Sequence, residues 1–420
     1  MNVLLVGGGG REHALAWRLA QSPGLMRLFA APGNPGIATH AECVALDIAD
    51  HGAVLDFCRS RDVALVVIGP EAPLVAGLAD DLREGGVAVF GPSAAAARLE
   101  GSKGFTKDLC ARVHIPTAAY RRLASLADAL AALDGFGLPV VVKADGLAAG
   151  KGVTVAATRG EAVDALSALF QVPGAEAVLE RFLSGREASL FVLCDGADIA
   201  AFGSAEDHKR VGEGDTGPNT GGMGAFSPSV ALTPDLEEQA MARIVRPTVA
   251  ALAQDGTPFV GVLYAGLMLT DEGPQLIEYN VRFGDPECQA LMMRFEGDLL
   301  TLLLAVAQGR LADAPHPRFA RGAALGVVVA ARGYPDAPVA GGAIGGIAAA
   351  EATGARVFHA GTRADDGDGD GGRLVASGGR VLTVTAAADT LADARALAYR
   401  AVDRIDYPDG FHRRDIGARG

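Results

Sequence analysis

Short apolar runs recur through the first hundred residues, and polar or amphipathic stretches separate them. Val3–Val6, Leu28–Ala31, Cys43–Leu46, Ala64–Ile68 and Val87–Phe90 have the length of buried strands. Arg11 to about Gln21, Ala53–Ser60 and Pro73–Glu84 fill the gaps as helices. This alternation predicts a parallel, doubly wound α/β sheet. Residues 93–113 extend the pattern as one amphipathic helix.

The rhythm then changes. Pro139–Val155 reads PVVVKADGLAAGKGVTV, two β-branched runs around a loop of Gly and Ala. Strand, tight loop, strand is the expectation. Lys143 and Lys151 edge the loop, and Gly146, Gly150 and Gly152 let backbone N–H groups approach an anion. It is not a P-loop: three residues, not four, separate Gly146 from Gly150, no hydroxyl follows Lys151, and the next residues are strand-like. A flap that folds over nucleotide phosphates fits, and an ordinary hairpin with exposed lysines is the plain alternative. A helix at about Glu161–Phe170 and a strand at Val178–Leu183 follow.

Within residues 205–227, Asp207, His208, Lys209 and Arg210 are followed by a run rich in Gly, Asn and Thr with almost no apolar side chain. So long a polar run inside a compact domain is functional or disordered. Its mixed charges and its Met-Gly-Ala-Phe ending favour docking on a core. Residues 259–280 predict a strand pair turning at Asp271-Glu272-Gly273. Glu278 and Asn280, two apart, share one strand face, and a carboxylate beside an amide oxygen suits Mg²⁺. A solvent-facing polar edge is the alternative. Residues 320–420 form a last α/β piece, with strands at Leu325–Ala330, Val357–His359 and Val381–Thr385 and a helix at Leu391–Asp406. Within it, the acidic run from Asp366 resembles half an EF-hand loop, but position twelve is Ser377, so a solvated loop is expected.

The first glycine turn suggests a dinucleotide site until it is written out. From Gly7, Gly9 fits the second glycine, but Glu12 takes the third place, and the second strand ends without an acidic residue. What remains is an anion site at a helix N-terminus, where Arg11 and free N–H groups can meet a phosphate. The loops at 32–36 and 69–73 also follow strands, on the carboxyl edge where such sheets bind ligands.

With 420 residues, two to four domains are expected. Half the residues are hydrophobic, which excludes global disorder. A net charge of −13 makes nucleic acid and anionic membranes poor partners. Five cysteines without a CxxC pair predict no disulfide or zinc site and a cytoplasmic location. The opening MNVLLVGGGG reads as a strand and not a signal peptide, and no apolar run approaches a membrane span.

Taken together, these stretches resemble the glycinamide ribonucleotide synthetase family of the ATP-grasp superfamily. The resemblance rests on GREHALAW at 10–17, APGN at 31–34, GPEAPLV at 69–75, LEGSKGFTKD at 99–108 and KADGLAAGKGV at 143–153. It continues in DHKRVGEGDTGPNTGGMGAFSP at 207–228, LYAGLM at 263–268, IEYNVRFGDPE at 277–287, FHAGT at 358–362 and RDIG at 414–417. The run at 207–228 is the most specific. The resemblance implies an α/β N-terminal domain at 1–102 and an ATP-grasp domain at 103–318, with a flap at about 114–185. A small C-terminal α/β domain at 319–420 would follow.

It also implies a reaction. ATP phosphorylates glycine, and the amine of 5-phosphoribosylamine attacks the glycyl phosphate. Lys103, Lys143, Gly146, Gly150, Lys151 and Gly152 would hold nucleotide phosphates. Glu180, Phe182 and Leu183 would line the adenine, and Glu187 would bind ribose. Glu278 and Asn280 would hold Mg²⁺ or Mn²⁺. Asp207, Lys209 and Arg282 would be catalytic. Gly9, Gly10, Arg11, Asn34, Glu71, Asn219, Gly221, Gly222 and Asp285 would bind the other substrates. The partners would be small molecules only, and the protein a monomer.

Three positions depart from the family pattern. Gly8 stands where Asn is expected, Arg181 where a second Glu is common, and the strand before Glu278 lacks a further acidic metal ligand. Another carboxylate–amine ATP-grasp ligase is argued against by the 207–228 run, and a nicotinamide oxidoreductase by the broken fingerprint. Intact Lys143, Lys151, Glu278 and Asn280 argue against a non-catalytic nucleotide sensor.

Overall fold

The computed structural model describes residues 1–147, 152–365 and 373–418. Its N-terminal sheet has five parallel strands, ordered Glu42–Cys43, Arg27–Pro32, Asn2–Gly7, Val63–Ile68 and Ala88–Phe90. The run expected to be a strand at 43–46 pairs only at Glu42–Cys43 and lies at the sheet edge. Val44 and Leu46 leave the sheet and pack against the core as irregular chain. The expected helix at 73–84 breaks into Glu71–Val75 and Leu78–Glu84, because Gly77 takes a left-handed φ of +91° between them. Ser102 splits the long helix expected at 93–113 into Ala94–Gly101 and Lys103–Arg112. Its backbone is extended, and its Oγ accepts the Phe105 N–H at 3.1 Å, which caps the second helix. Lys103 therefore opens a helix, and Lys107 lies one turn further along it.

A four-stranded antiparallel sheet forms the flap, in the order Tyr120–Leu123, Ala177–Arg181, Val140–Ala144, Val153–Ala156. Leu123, Val140, Val142 and Leu179 pack with Ala162 and Leu166 into a core of its own. The alternate residues Val141 and Lys143 turn to the other face, as strand geometry requires.

The central sheet has nine strands. From one edge these run Gly273–Asn280, Val260–Thr270, Arg186–Asp195, Ile199–Asp207, Gly224–Ser227, Ala323–Ala331, Arg380–Ala388 and Arg356–His359, and Gly410–Phe411 also pairs with Ala323–Ala331. Gly224–Ser227, the end of the polar run, joins the two halves: Asp207 registers with Ala225, and Gly224 with Val327. The last hundred residues thus continue the central sheet. Phe283 sits where the sheets meet, 6.1 Å from Phe90 and 5.5 Å from Phe202 between ring centres. It fixes the chain on which Arg282 and Asp285 stand.

The polar run is ordered. Arg210–Gly212 pairs with Thr216–Asn219 as a hairpin. Arg413, almost fully buried, donates to Asp215 at 3.0 Å, to Asp415 at 2.7 Å and to the carbonyl of Arg210 at 2.8 Å. The EF-hand-like stretch from Asp366 falls mostly outside the described residues.

Candidate active site

A cleft of about 1200 Å³ lies among the flap, the carboxyl edge of the N-terminal sheet and the central sheet. Glu180 anchors its flap side. Its Oε1 lies 2.8 Å from Lys143 Nζ and its Oε2 lies 2.8 Å from Lys107 Nζ, and all three side chains are buried. Burial pushes the Glu180 carboxyl up, but the two ammonium groups outweigh it and hold the carboxyl below its usual range. Lys143 also donates to the Ile277 carbonyl at 3.2 Å, and Lys107 to Thr117 Oγ1 at 2.6 Å. Glu180 therefore enters the cleft as a counter-ion, and the apolar lining beside it comes from Phe182, Leu183, Val141, Val155 and Met268. Arg181, in place of a second Glu, is exposed at the end of its strand and lines the cleft.

Lys103 donates to the Gly146 carbonyl at 2.8 Å, so the helix start holds the root of the glycine loop. Asp145 reinforces this by accepting from Ser102 Oγ at 3.0 Å and from the Gly104 N–H at 3.3 Å. Gly152 lines the cleft. Gly150 and Lys151 lie outside the described residues.

Glu278 and Asn280 both line the cleft from the strand Gly273–Asn280. Gly266 is registered opposite Glu278, and a Cβ there would stand 3.5 Å from Glu278 Cγ. A methyl group there would only touch Glu278 in ordinary van der Waals contact. Neither side chain makes a hydrogen bond or ion pair with protein atoms among the described residues. Two uncommitted oxygen donors on one strand face fit a hard divalent cation.

On the far side, the Arg282 guanidinium is held between two carboxylates, Glu71 at 3.2 Å and Glu100 at 2.8 Å. Burial lowers its pKa, but Glu100 and Glu71 more than reverse this, so the charge is fixed. Lys209 pairs with Glu187 at 2.7 Å on the rim. Asp207 sits near Lys209, Glu287 and Glu187. Burial pushes its carboxyl up to about 7, Lys209 opposes the rise, and the two glutamates add to it. Asp285 accepts from Gln289 at 2.9 Å and faces Arg380 at 3.5 Å. Burial raises its pKa, yet Arg380 and Arg11 bring the carboxyl below its usual value.

The N-terminal turn differs from the expected anion site. Glu12, the residue that broke the glycine fingerprint, folds back over the turn. It accepts the Gly9 N–H at 2.7 Å and pairs with Arg11 Nε at 2.5 Å. Arg11 Nη1 donates to the Phe283 carbonyl at 3.1 Å. Arg11 still lines the cleft, but its charge is already partnered, and Gly9 and Gly10 do not line it. Asn34 does not line it either. Its amide donates to the carbonyls of Gly8 and His359, each at 2.9 Å, and its oxygen accepts the Ile37 N–H at 2.9 Å. Three of its four hydrogen-bonding positions are taken by the protein, so it serves as a structural joint. Gly222 is set back against Pro286, at a φ of +109°. A Cβ at Gly8 would stand 2.5 Å from the Gly33 carbonyl oxygen, so a side chain at this departure would displace the neighbouring turn. Glu71, Asn219, Gly221 and Asp285 do line the cleft.

The sequence reading missed Glu100, Lys107, Asp145 and Arg380. The first three lay close to glycine-rich stretches already singled out, but only the packing pairs them with Arg282, Glu180 and the first turn of the Lys103 helix. Arg380 carried no local signal.

Three family descriptions match the chain: phosphoribosylglycinamide synthetase N domain at 1–100, ATP-grasp (A) domain at 101–288 and C domain at 324–419. The phosphoribosylamine–glycine ligase of Mesorhizobium japonicum is 60% identical, covering 99% of this chain and 98% of that one. The Agrobacterium fabrum protein of the same name is 56% identical, over 99% of this chain and 98% of its own. The crystal structure of phosphoribosylamine–glycine ligase from Thermotoga maritima superposes with a TM-score of 0.84 at 31% identity, covering 99% of this chain and 100% of that one. The Hydrogenobacter thermophilus biotin carboxylase domain, solved with MgADP, shares the fold at a TM-score of 0.72 and 18% identity, with 98% of this chain and 91% of that one covered.

Proposed function

The chain belongs to the phosphoribosylglycinamide synthetase family, and on that premise we propose that it joins glycine to 5-phospho-D-ribosylamine. ATP is cleaved to ADP and phosphate, and glycinamide ribonucleotide is formed for purine biosynthesis. The observation that carries this reading is one cleft in which Lys143 of the flap and Lys103 and Lys107 of the preceding helix line the same space as the Glu278–Asn280 pair and residues of the 207–221 segment.

Phosphoryl transfer depends on placing two anions together and neutralising charge. Lys103 and Lys143 meet the nucleotide phosphates. Phe182 and Leu183 cover the base, and Glu187 takes the ribose hydroxyls. Glu278 and Asn280 hold Mg²⁺ or Mn²⁺, which when bound supplies Lewis-acid charge stabilisation to the phosphates. The glycine carboxylate takes the terminal phosphoryl group, giving a glycyl phosphate and ADP. The amine nitrogen of phosphoribosylamine then attacks the acyl carbon, phosphate leaves with the C–O bond electrons, and the nitrogen loses a proton. Arg282, kept charged by its two carboxylates, faces the acyl phosphate. Asp207 is the carboxylate beside the attacking amine, and Lys209 keeps the neighbouring charge balanced. Asn219, Gly221, Asp285 and Glu71 form the bed for the amine substrate. Closure excludes water, which would hydrolyse the acyl phosphate.

The protein works as a cytoplasmic monomer on small molecules. No described helix is long and apolar enough to cross a membrane, and the five thiols are free, as a reducing compartment keeps them.

The test is ADP release with MgATP, glycine and freshly made phosphoribosylamine, leaving out each in turn. Release that depends on glycine and on the amine is expected. ADP release indifferent to glycine would sink the reading.

A further inference from the structure

Arg380 begins the strand Arg380–Ala388, far along the chain from every motif of the cleft. Its Nη1 donates to the Asp285 carbonyl at 2.5 Å, to the Gly222 carbonyl at 3.4 Å and also to the Gly221 carbonyl. Its Nη2 lies 3.5 Å from Asp285 Oδ2. One planar cation therefore ties the turn after Asn219 to the segment after Arg282. Tyr334 adds a second tie, accepting the Gly221 N–H at 3.1 Å. The fit is close: a Cβ on Gly221 would stand 3.0 Å from Arg380 Cζ.

Both segments so joined line the cleft, through Asn219, Gly221 and Asp285. The Asn219 side chain makes no hydrogen bond to protein among the described residues. Asp285 also faces the backbone N–H of Arg11 at 3.5 Å, which brings in the N-terminal sheet. The nucleotide-side lysines have their own anchors in Glu180, Ile277 and Gly146 and do not depend on this joint.

We propose that Arg380 is a positioning residue for phosphoribosylamine. It holds the Asn219 turn and Asp285 at a fixed separation without binding ATP. This rests on the ligase reading above. A lysine can carry the charge and reach one or two of the carbonyls, but it cannot reproduce the fork.

The test compares wild type with Arg380→Met, Arg380→Lys and Tyr334→Phe. KM is measured for phosphoribosylamine, kcat alongside it, and Kd for MgATP by calorimetry. In Arg380→Met the KM for phosphoribosylamine should rise about tenfold or more while MgATP affinity stays within about twofold. Arg380→Lys should recover part of the loss, and Tyr334→Phe should raise the same KM by roughly threefold. An unchanged KM in Arg380→Met, or MgATP affinity falling in step with it, overturns the proposal. If Arg380→Met does not fold, Tyr334→Phe decides, and an unchanged KM there overturns the proposal. If wild type releases no glycine-dependent ADP, the ligase reading itself falls and takes this assignment with it.

Discussion

Lys143 Nζ lies 2.8 Å from Glu180 Oε1, on two antiparallel flap strands that register Val141 opposite Glu180. With Lys107 on the other carboxylate oxygen, one anion holds two buried cations in the proposed nucleotide-phosphate site. The lysines are thus oriented before any ligand binds.

Glu180→Ala should leave two ammonium groups unpaired in a buried site. Breaking such a pair costs about 3–5 kcal/mol, which urea unfolding will register, and MgATP affinity should fall with it. The pH dependence follows from the sign of the shift. The folded carboxyl titrates below its ordinary 4.5, so its contribution is full above pH 4.5 and disappears as pH falls through the lower, folded value. Glu180→Gln should flatten the acid side of the stability profile in that window. An unchanged acid limb would show that the pair contributes nothing.

Glu278→Ala should lower kcat on the order of 10³-fold, because a metal held by one remaining protein ligand stabilises transferred charge poorly. The side chain makes no hydrogen bond to protein among the described residues, so Tm should stay near wild type. Divalent-ion titration of the activity should shift to higher concentration. Normal turnover in this variant would mean the metal binds elsewhere.

Asp207 predicts opposite effects on rate and stability. Its carboxyl is held up to about 7, so the folded state keeps a proton that the unfolded chain releases near 3.8. Its contribution is therefore full below pH 3.8 and is lost as pH rises through about 7. Asp207→Asn should be more stable than wild type at pH 8 and no more stable at pH 4, by thermal unfolding. The kcat profile of wild type should rise through an inflection near pH 7 that the variant lacks. A profile with the same inflection in Asp207→Asn would assign the titration to another group.

Asn34→Ala should act on folding and not on chemistry. It removes three hydrogen bonds and strands the Gly8 and His359 carbonyls, a loss of roughly 2–4 kcal/mol. Activity per folded molecule should stay within about twofold of wild type if the substrate never meets this amide. A tenfold rise in KM for phosphoribosylamine at full stability would restore Asn34 to the substrate site.

Much of this protein was legible along the chain. Strand runs of four or five residues separated by helical stretches dictate a parallel sheet, since successive parallel strands need a crossover. Two-residue spacing placed Glu278 and Asn280 on one face, and the spacing around Gly146 and Gly150 removed the P-loop reading, because both are properties of local backbone geometry. Motif resemblance then named the family. Other features depended on pairings between residues far apart in sequence. Whether Arg11 is free or paired turned on Glu12 folding back over its own turn and on the Phe283 carbonyl. Whether Asn34 meets substrate turned on His359, more than three hundred residues away. Glu100, Lys107 and Arg380 gained a role only when separate strands and helices brought Arg282, Glu180 and Asp285 to them. Local sequence determines which elements form and which faces they offer. Only the tertiary structure decides which charges are already neutralised and which are left for a ligand, because that depends on partners no local pattern records.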